Sequence, residues 1–135
     1  MNYAIKKLKT VNVKGKIFSG SGEGSKFIGL PWVKNQIEEK LGFTPYIGTL
    51  NIKLIGNHAG FKKLLKKASI EILPEKGFCR GRCFPAFFMG KTKCAIVIPE
   101  IANYPEDVIE IIAPVNLREK FQFKDGDVVE VKVML

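Results

Sequence analysis

Short apolar runs of strand length, parted by glycine, proline and Asp-Gly turns, decide what this chain can become. Residues 11–18, 49–54, 69–73, 94–98, 108–112 and 127–134 each read as a strand of five to eight residues. Residues 78–89 hold Phe78, Phe84, Phe87 and Phe88 among glycine and proline, which predicts strand pieces broken by bulges. Only residues 31–41 keep helical spacing over several turns. Pro31 suits the first helical position, Trp32, Val33, Gln36, Ile37 and Leu41 recur at that spacing, and Gly42 is a stop. Residues 59–67 predict a short basic helix with Phe61, Leu64 and Leu65 on its apolar side, and 117–121 a helical turn. Asp125-Gly126 predicts a hairpin-type turn. So many strands with one convincing helix favour a closed, mostly antiparallel barrel, because closure removes exposed strand edges. A Rossmann sheet would need repeated strand–helix units, which are absent from the pattern.

At 135 residues the chain has the size of one ordinary domain, and its hydrophobic content of 46% supports a core. No repeat or low-complexity linker divides it, so residues 1–135 are expected to form a single domain, with 1–10 as an N-terminal extension. No apolar run approaches the roughly 20 residues needed to span a bilayer. The N-terminus has no long apolar core or small-residue cleavage site, so no signal peptide is read and the cytoplasm is the expected compartment. Cys79, Cys83 and Cys94 with His58 match closed zinc spacings poorly, and reduced, partly buried cysteines are expected.

The net charge of +9 is uneven: residues 1–67 hold 13 lysines against Glu23, Glu38 and Glu39, while the second half is close to neutral. A basic half attracts polyanions, either nucleic acid or a nucleotide, or it is simply a solvated lysine surface. No arginine precedes Arg80, and the arginine–aromatic interleaving of a dedicated RNA binder is missing.

The segment Ser19-Gly20-Ser21-Gly22-Glu23-Gly24-Ser25-Lys26 follows the first strand. Glycine permits φ > 0 and close approach to the backbone, and successive free N–H groups make an anion-binding concavity. Lys26 adds a positive charge. The segment reads either as a phosphate cradle or as a ligand-free glycine turn. It matches neither the dinucleotide Gly-x-Gly-x-x-Gly nor the P-loop. Three further segments bear on it. Thr49 and Asn51 alternate on one strand face and offer hard oxygen donors suited to Mg²⁺, or else form a solvated polar pair. Glu110 is a lone carboxylate in an apolar strand, facing solvent or, if it faces a pocket, acting as a base or hydroxyl acceptor. Asn116-Leu117-Arg118-Glu119 offers polar groups and helix-start amides to a nucleotide, or is an ordinary capped turn.

Taken in order, these segments resemble the archaeal CTP-dependent riboflavin kinases. The likeness is carried by Ser19 to Gly24, by Leu41-Gly42-Phe43-Thr44-Pro45-Tyr46-Ile47-Gly48-Thr49-Leu50-Asn51, by Ile109 to Pro114 running on through Leu117-Arg118-Glu119, and by residues 121–133 with Asp125-Gly126-Asp127. It runs from about Val13 to Val133. The resemblance implies a mainly β fold, a six-stranded Greek-key cradle-loop barrel of the riboflavin-kinase type with one or two short helices. It implies that Gly20, Ser21, Gly22, Glu23, Gly24, Ser25 and Lys26 hold the nucleotide, completed by Asn116, Leu117, Arg118 and Glu119. It implies Mg²⁺ on Thr49 and Asn51, and flavin contacts from Glu110 and Ala102. The family pattern often has threonine at the position of Ala102, so only a backbone contact is expected there. Some relatives carry an N-terminal winged helix, for which this chain is expected to have no room.

The expected activity is Mg²⁺-assisted transfer of the CTP γ-phosphoryl to the riboflavin 5′-hydroxyl, with Glu110 orienting or deprotonating that hydroxyl and some of the phenylalanines of 78–88 lining the flavin slot. Riboflavin and CTP are the expected partners, with no nucleic acid, no membrane and a monomeric state. Two other classes stay open. A small basic nucleic-acid-binding barrel rests on the lysine-rich half, and a swapped-hairpin transcription regulator rests on Asp125-Gly126-Asp127.

Overall fold

Alternation along the strands sorts their side chains onto two faces. The computed structural model describes residues 10–56, 58, 60–65, 70–75, 77 and 80–135. In β1 (Thr10–Phe18), Val13, Gly15 and Ile17 are buried while Asn12, Lys14 and Lys16 are exposed. β2 (Leu50–Ile55) repeats this with Leu50, Ile52 and Leu54 buried. Both strands obey the period of two that places every second residue on one side.

The sheet also contains β3 (Ile70–Ile72), β4 (Gly81–Phe88), β5 (Thr92–Pro99), β6 (Val108–Ile112) and β7 (Val128–Met134). Antiparallel pairing runs β4–β5–β6–β2–β1–β7, and β7 pairs back onto β4 through Ala86↔Val133, Phe87↔Lys132 and Phe88↔Val131. Six strands therefore close into a barrel, as the strand count predicts. β3 lies outside the ring, added to β4 opposite Gly81–Cys83.

Residues 78–89 depart from expectation. In place of pieces broken by bulges, Gly81–Phe88 is one continuous strand; Phe78 and Cys79 fall outside the described residues. Pro85 is tolerated because it sits between the stretch of β4 that pairs with β3 and the stretch that pairs with β7, where the strand needs no donor on that edge.

Inward residues fill the barrel, among them Ile17, Ile52, Phe84, Phe88, Ile96, Ile109, Ile111, Val131 and Val133. α4 (Leu117–Phe121) closes one end, where Phe88 meets Phe121 at 5.5 Å and Phe123 at 5.9 Å between ring centroids. A second core lies outside the barrel. There α1 (Glu23–Ile28) and α2 (Pro31–Leu41) bury Ile28, Val33, Ile37 and Leu41 against Cys83, Ala95, Val97 and Ile112. Each fully buried aliphatic side chain of that size contributes about 1.5–3 kcal/mol. Double coverage explains why Cys94-Ala95-Ile96-Val97 is a continuous buried run: alternate residues serve the two cores.

α2 ends at Gly42 in the left-handed region, φ 78°, as its sequence signal requires. α1 is an addition, since its residues Glu23 to Lys26 were expected to stay in the glycine loop. α3 (Phe61–Leu65) is a short basic helix within the expected 59–67. The Asp125-Gly126 turn is not a hairpin between strands. It links α4 to β7 and docks on the end of β1, with Gly126 N–H donating to Ile17 O at 2.7 Å. No helix among the described residues is long and apolar enough to cross a membrane.

Phe88→Ala should cost about 3–5 kcal/mol in urea unfolding, because it empties the barrel core beside two further rings. Phe87→Ala, on the exposed face of the same strand, should cost much less.

Candidate functional site

The residues that face away from the barrel interior on β2 and β6 build the site. Register places Asn51 opposite both Phe18 of β1 and Glu110 of β6, and Glu110 opposite Val97 of β5. Thr49, two residues before Asn51, shares its face. These side chains lie under an arch made by the glycine segment and α1 on one side and residues 99–105 on the other. The space beneath has a volume of about 1080 Å³. Phe18, Phe27, Val97, Pro99, Ile101 and Val108 give it an apolar wall, and Thr49, Asn51 and Glu110 make its polar end.

The three glycines of the arch serve different needs. Gly22 adopts φ 85° with open space around it, turning the chain from β1 into α1. Gly24 lies so close to the polar cluster that a Cβ would sit 2.6 Å from Glu110 Oε1 and collide with Thr49 Oγ1. A Cβ on Gly20 would collide with the Asn51 amide. Two glycines are thus small because the backbone is pressed onto the polar cluster. The expected loop splits into an irregular part, Ser19–Gly22, and a helical turn carrying Gly24, Ser25 and Lys26.

Glu110 is half-buried and receives two hydrogen bonds. Thr49 Oγ1 donates to its Oε1 at 3.1 Å, and the Tyr104 hydroxyl donates to its Oε2 at 2.7 Å. Burial, reinforced by the bond to Glu110 and its charge, pushes the Tyr104 phenol well above its usual range, so it remains a donor near neutrality. Because Thr49 uses its only proton on Glu110, its oxygen lone pairs stay available.

A second contact set ties the arch to the barrel end. Ser19 Oγ donates to Asp125 at 2.8 Å, and Arg118 reaches Asp125 Oδ1 at 2.7 Å. The Ser19 hydrogen bond, then Arg118, hold the Asp125 carboxyl below the usual range. Arg118, Thr49 and Ser25 border both the main cavity and a smaller hollow of about 220 Å³ lined by Tyr46, Ile47 and Asn116.

The structure brings Gly20, Ser21, Gly22, Glu23, Gly24, Ser25, Lys26, Thr49, Asn51, Glu110 and Arg118 to one cavity. Among these, Lys26 is exposed and pairs with Glu23 at 3.6 Å. The others stand differently. Asn116 caps α4 by accepting from Glu119 N–H at 3.1 Å, and its Nδ2 donates to the Tyr46 hydroxyl at 3.2 Å. Leu117 is buried in the core, and Glu119 is exposed. Ala102 is exposed beside, not among, the lining residues, whereas its neighbours Ile101 and Tyr104 do line the cavity. Phe84 and Phe88 point into the barrel and Phe87 points to solvent, so none of these three lines the cavity; its aromatic walls come from Phe18, Phe27 and Tyr104. Tyr104 is missed by sequence reasoning, its one signal being an aromatic beside Pro105 six residues before Glu110. Cys83 and Cys94 are free and buried in different cores, burial pushing both thiols up to about 12, while Cys79 lies outside the described residues. Among the described residues, no three His, Cys, Asp or Glu side chains cluster as metal ligands; the oxygens at the polar end are those of Thr49, Asn51 and Glu110.

A closed six-stranded barrel with a glycine arch pressed onto a Thr–Asn–Glu cluster on its outer face defines a small barrel with a cleft that is apolar along its wall and polar at one end. The chain belongs to the CTP-dependent riboflavin kinase family, whose model (CTP-dep_RFKase, described as domain of unknown function DUF120) matches residues 17–133. It is 42% identical to a riboflavin kinase of Pyrobaculum aerophilum, over 95% of this chain and 63% of that protein. It is 38% identical to a riboflavin kinase of Methanosarcina barkeri, over 93% of this chain and 58% of that protein. For a riboflavin kinase of Archaeoglobus fulgidus the values are 40%, 93% and 56%. The chain thus spans about three fifths of the length of the curated relatives it matches.

A carboxylate whose value is depressed in the folded state stabilises fully above its unfolded value, and the contribution is lost as pH falls through the folded one. Asp125→Asn should therefore lower the Tm slightly at about pH 7, and the gap to wild type should shrink as the pH falls below the ordinary carboxylate range. A gap that does not change with pH would detach the Ser19–Asp125–Arg118 contact from charge.

Proposed function

We propose that this chain transfers the γ-phosphoryl group of CTP to the 5′-hydroxyl of riboflavin, giving FMN and CDP. The observation that carries this reading is the cavity's division into a long apolar part and a compact polar end, where Thr49 and Glu110 are hydrogen-bonded beneath Gly24. A flat tricyclic ring needs the first, and a hydroxyl about to accept a phosphoryl group needs the second.

In this reading the flavin ring lies against Val97, Pro99, Ile101 and Val108, and the ribityl chain leads its 5′-hydroxyl to Glu110. Glu110 accepts the proton as the hydroxyl oxygen bonds to the γ-phosphorus and the bond to the β,γ-bridging oxygen breaks, leaving CDP. Backbone N–H groups of Gly20 to Ser25 hold the phosphates, with Lys26 lending its charge, and the nucleoside reaches toward Tyr46 and Asn116, with Arg118 between the two hollows. Such transfer depends mainly on positioning and charge neutralisation. Thr49 and Asn51 offer the hard oxygens that suit Mg²⁺ and would hold such an ion, which would supply neutralisation of phosphate charge. The reading takes the chain as a cytoplasmic monomer acting on small molecules, without membrane or nucleic acid.

The test is incubation with riboflavin, Mg²⁺ and either CTP or ATP. FMN should form with CTP, and no FMN with any nucleotide would sink the reading. Glu110→Gln should lower kcat by roughly 10²-fold or more. Thr49→Ala and Asn51→Ala should each raise the Mg²⁺ concentration for half-maximal rate by about tenfold without unfolding the protein, in keeping with the loss of one ligand. Wild-type metal dependence in both would remove them from the metal site.

A further inference from the structure

We propose that Tyr104 is a positioning residue for Glu110, fixing the plane of its carboxylate so that its free lone pairs face the acceptor hydroxyl. This rests on the reading of Glu110 as the group that receives that hydroxyl's proton.

A glutamate side chain on a strand has three rotatable bonds, and its terminal torsion is broad, so strand placement alone leaves the carboxylate plane undefined. Here two donors approach different oxygens from different elements. Thr49 Oγ1, before β2, takes Oε1 at 3.1 Å, and the Tyr104 hydroxyl, from the loop after β5, takes Oε2 at 2.7 Å. The second bond is the shorter and is made to a charged acceptor, the stronger class of hydrogen bond. Both residues line the cavity with Glu110.

Tyr104 is itself held. Lys62 of α3 places its Nζ 4.7 Å from the centroid of the Tyr104 ring and donates to Pro105 O at 2.6 Å. Leu54 N–H of β2 donates to Asp107 O at 2.6 Å, and Lys53 pairs with Asp107 at 3.8 Å. The loop that carries the phenol is therefore clamped to the strand that carries Asn51 and to α3. Burial of Tyr104, with its bond to Glu110, raises the phenol above its usual range, so the hydroxyl keeps its proton to donate near neutrality.

The variant Tyr104→Phe removes the hydroxyl and keeps the ring that Lys62 covers. It should lower kcat roughly tenfold, the effect of losing one hydrogen bond to a charged group, while KM for CTP changes less than about twofold and the Tm stays near that of wild type. In a Glu110→Gln background the same change should have almost no further effect, because a residue acting through another is not additive with it. Wild-type kinetics in Tyr104→Phe, or an equal loss in both backgrounds, would overturn the inference while leaving the kinase reading intact. A wild-type protein that makes no FMN with any nucleotide would overturn both.

Discussion

Closure of the barrel through β4 and β7 is the constraint on which the rest depends. Three residue pairs join strands separated by more than forty positions and remove the last free edges of the ring. With the ring closed, β1, β2, β6 and β5 are fixed in register, and Asn51, Glu110 and Val97 become neighbours in one row across adjacent strands. A slip of one residue in β2 would turn Asn51 into the barrel core and Ile52 out to the cleft. The polar cluster therefore inherits its geometry from a hydrophobic requirement: Leu50, Ile52, Ile109 and Ile111 must face inward, so Asn51 and Glu110 face out.

Facing out does not mean facing solvent. α1 and α2 cover part of the outer face with a second core, and the glycine segment that leads into them lies on the polar row. The same packing that buries Ile28 and Val33 brings Gly24 against Thr49 and Glu110. Stability and site are coupled here in a simple way, since the helices that shield the sheet also lower the arch onto it. The Ser19–Asp125–Arg118 contacts anchor the other end of that arch to the turn before β7, which itself docks on β1.

Much of the fold was legible in the residues. Period-two alternation marked β1, β2 and β7, and Pro31 and Gly42 marked the ends of α2, because these signals are local and their physics acts within a few residues. Residues 81–88 misled because glycine and proline usually interrupt strands; Pro85 is permitted only by a gap in pairing that lies between β3 and β7 and is invisible along the chain. α1 was hidden for the opposite reason. Gly24 is a poor helix former, and the turn forms because Ile28 is buried against β5 and β6. In the site, Thr49, Asn51, Glu110 and the glycine segment were singled out by residue type. Phe84, Phe87 and Phe88 do not line the cavity, because strand residues of one composition can face either way: Phe84 and Phe88 face the core and Phe87 faces solvent.

The sequence by itself determined the strand periodicity, the ends of α2 and which residues carry the oxygen donors and the glycines, since each is a property of a residue and its near neighbours. It also carried enough ordered motif to mark the family. Only the tertiary structure decided that the donors share one cleft, that Gly20 and Gly24 are small to let backbone meet side chain, and that Tyr104 and Thr49 hold the two oxygens of Glu110. Those relations join residues far apart along the chain, Thr49 and Glu110 by 61 positions and Gly24 and Glu110 by more, and nothing but long-range packing sets the distances between them.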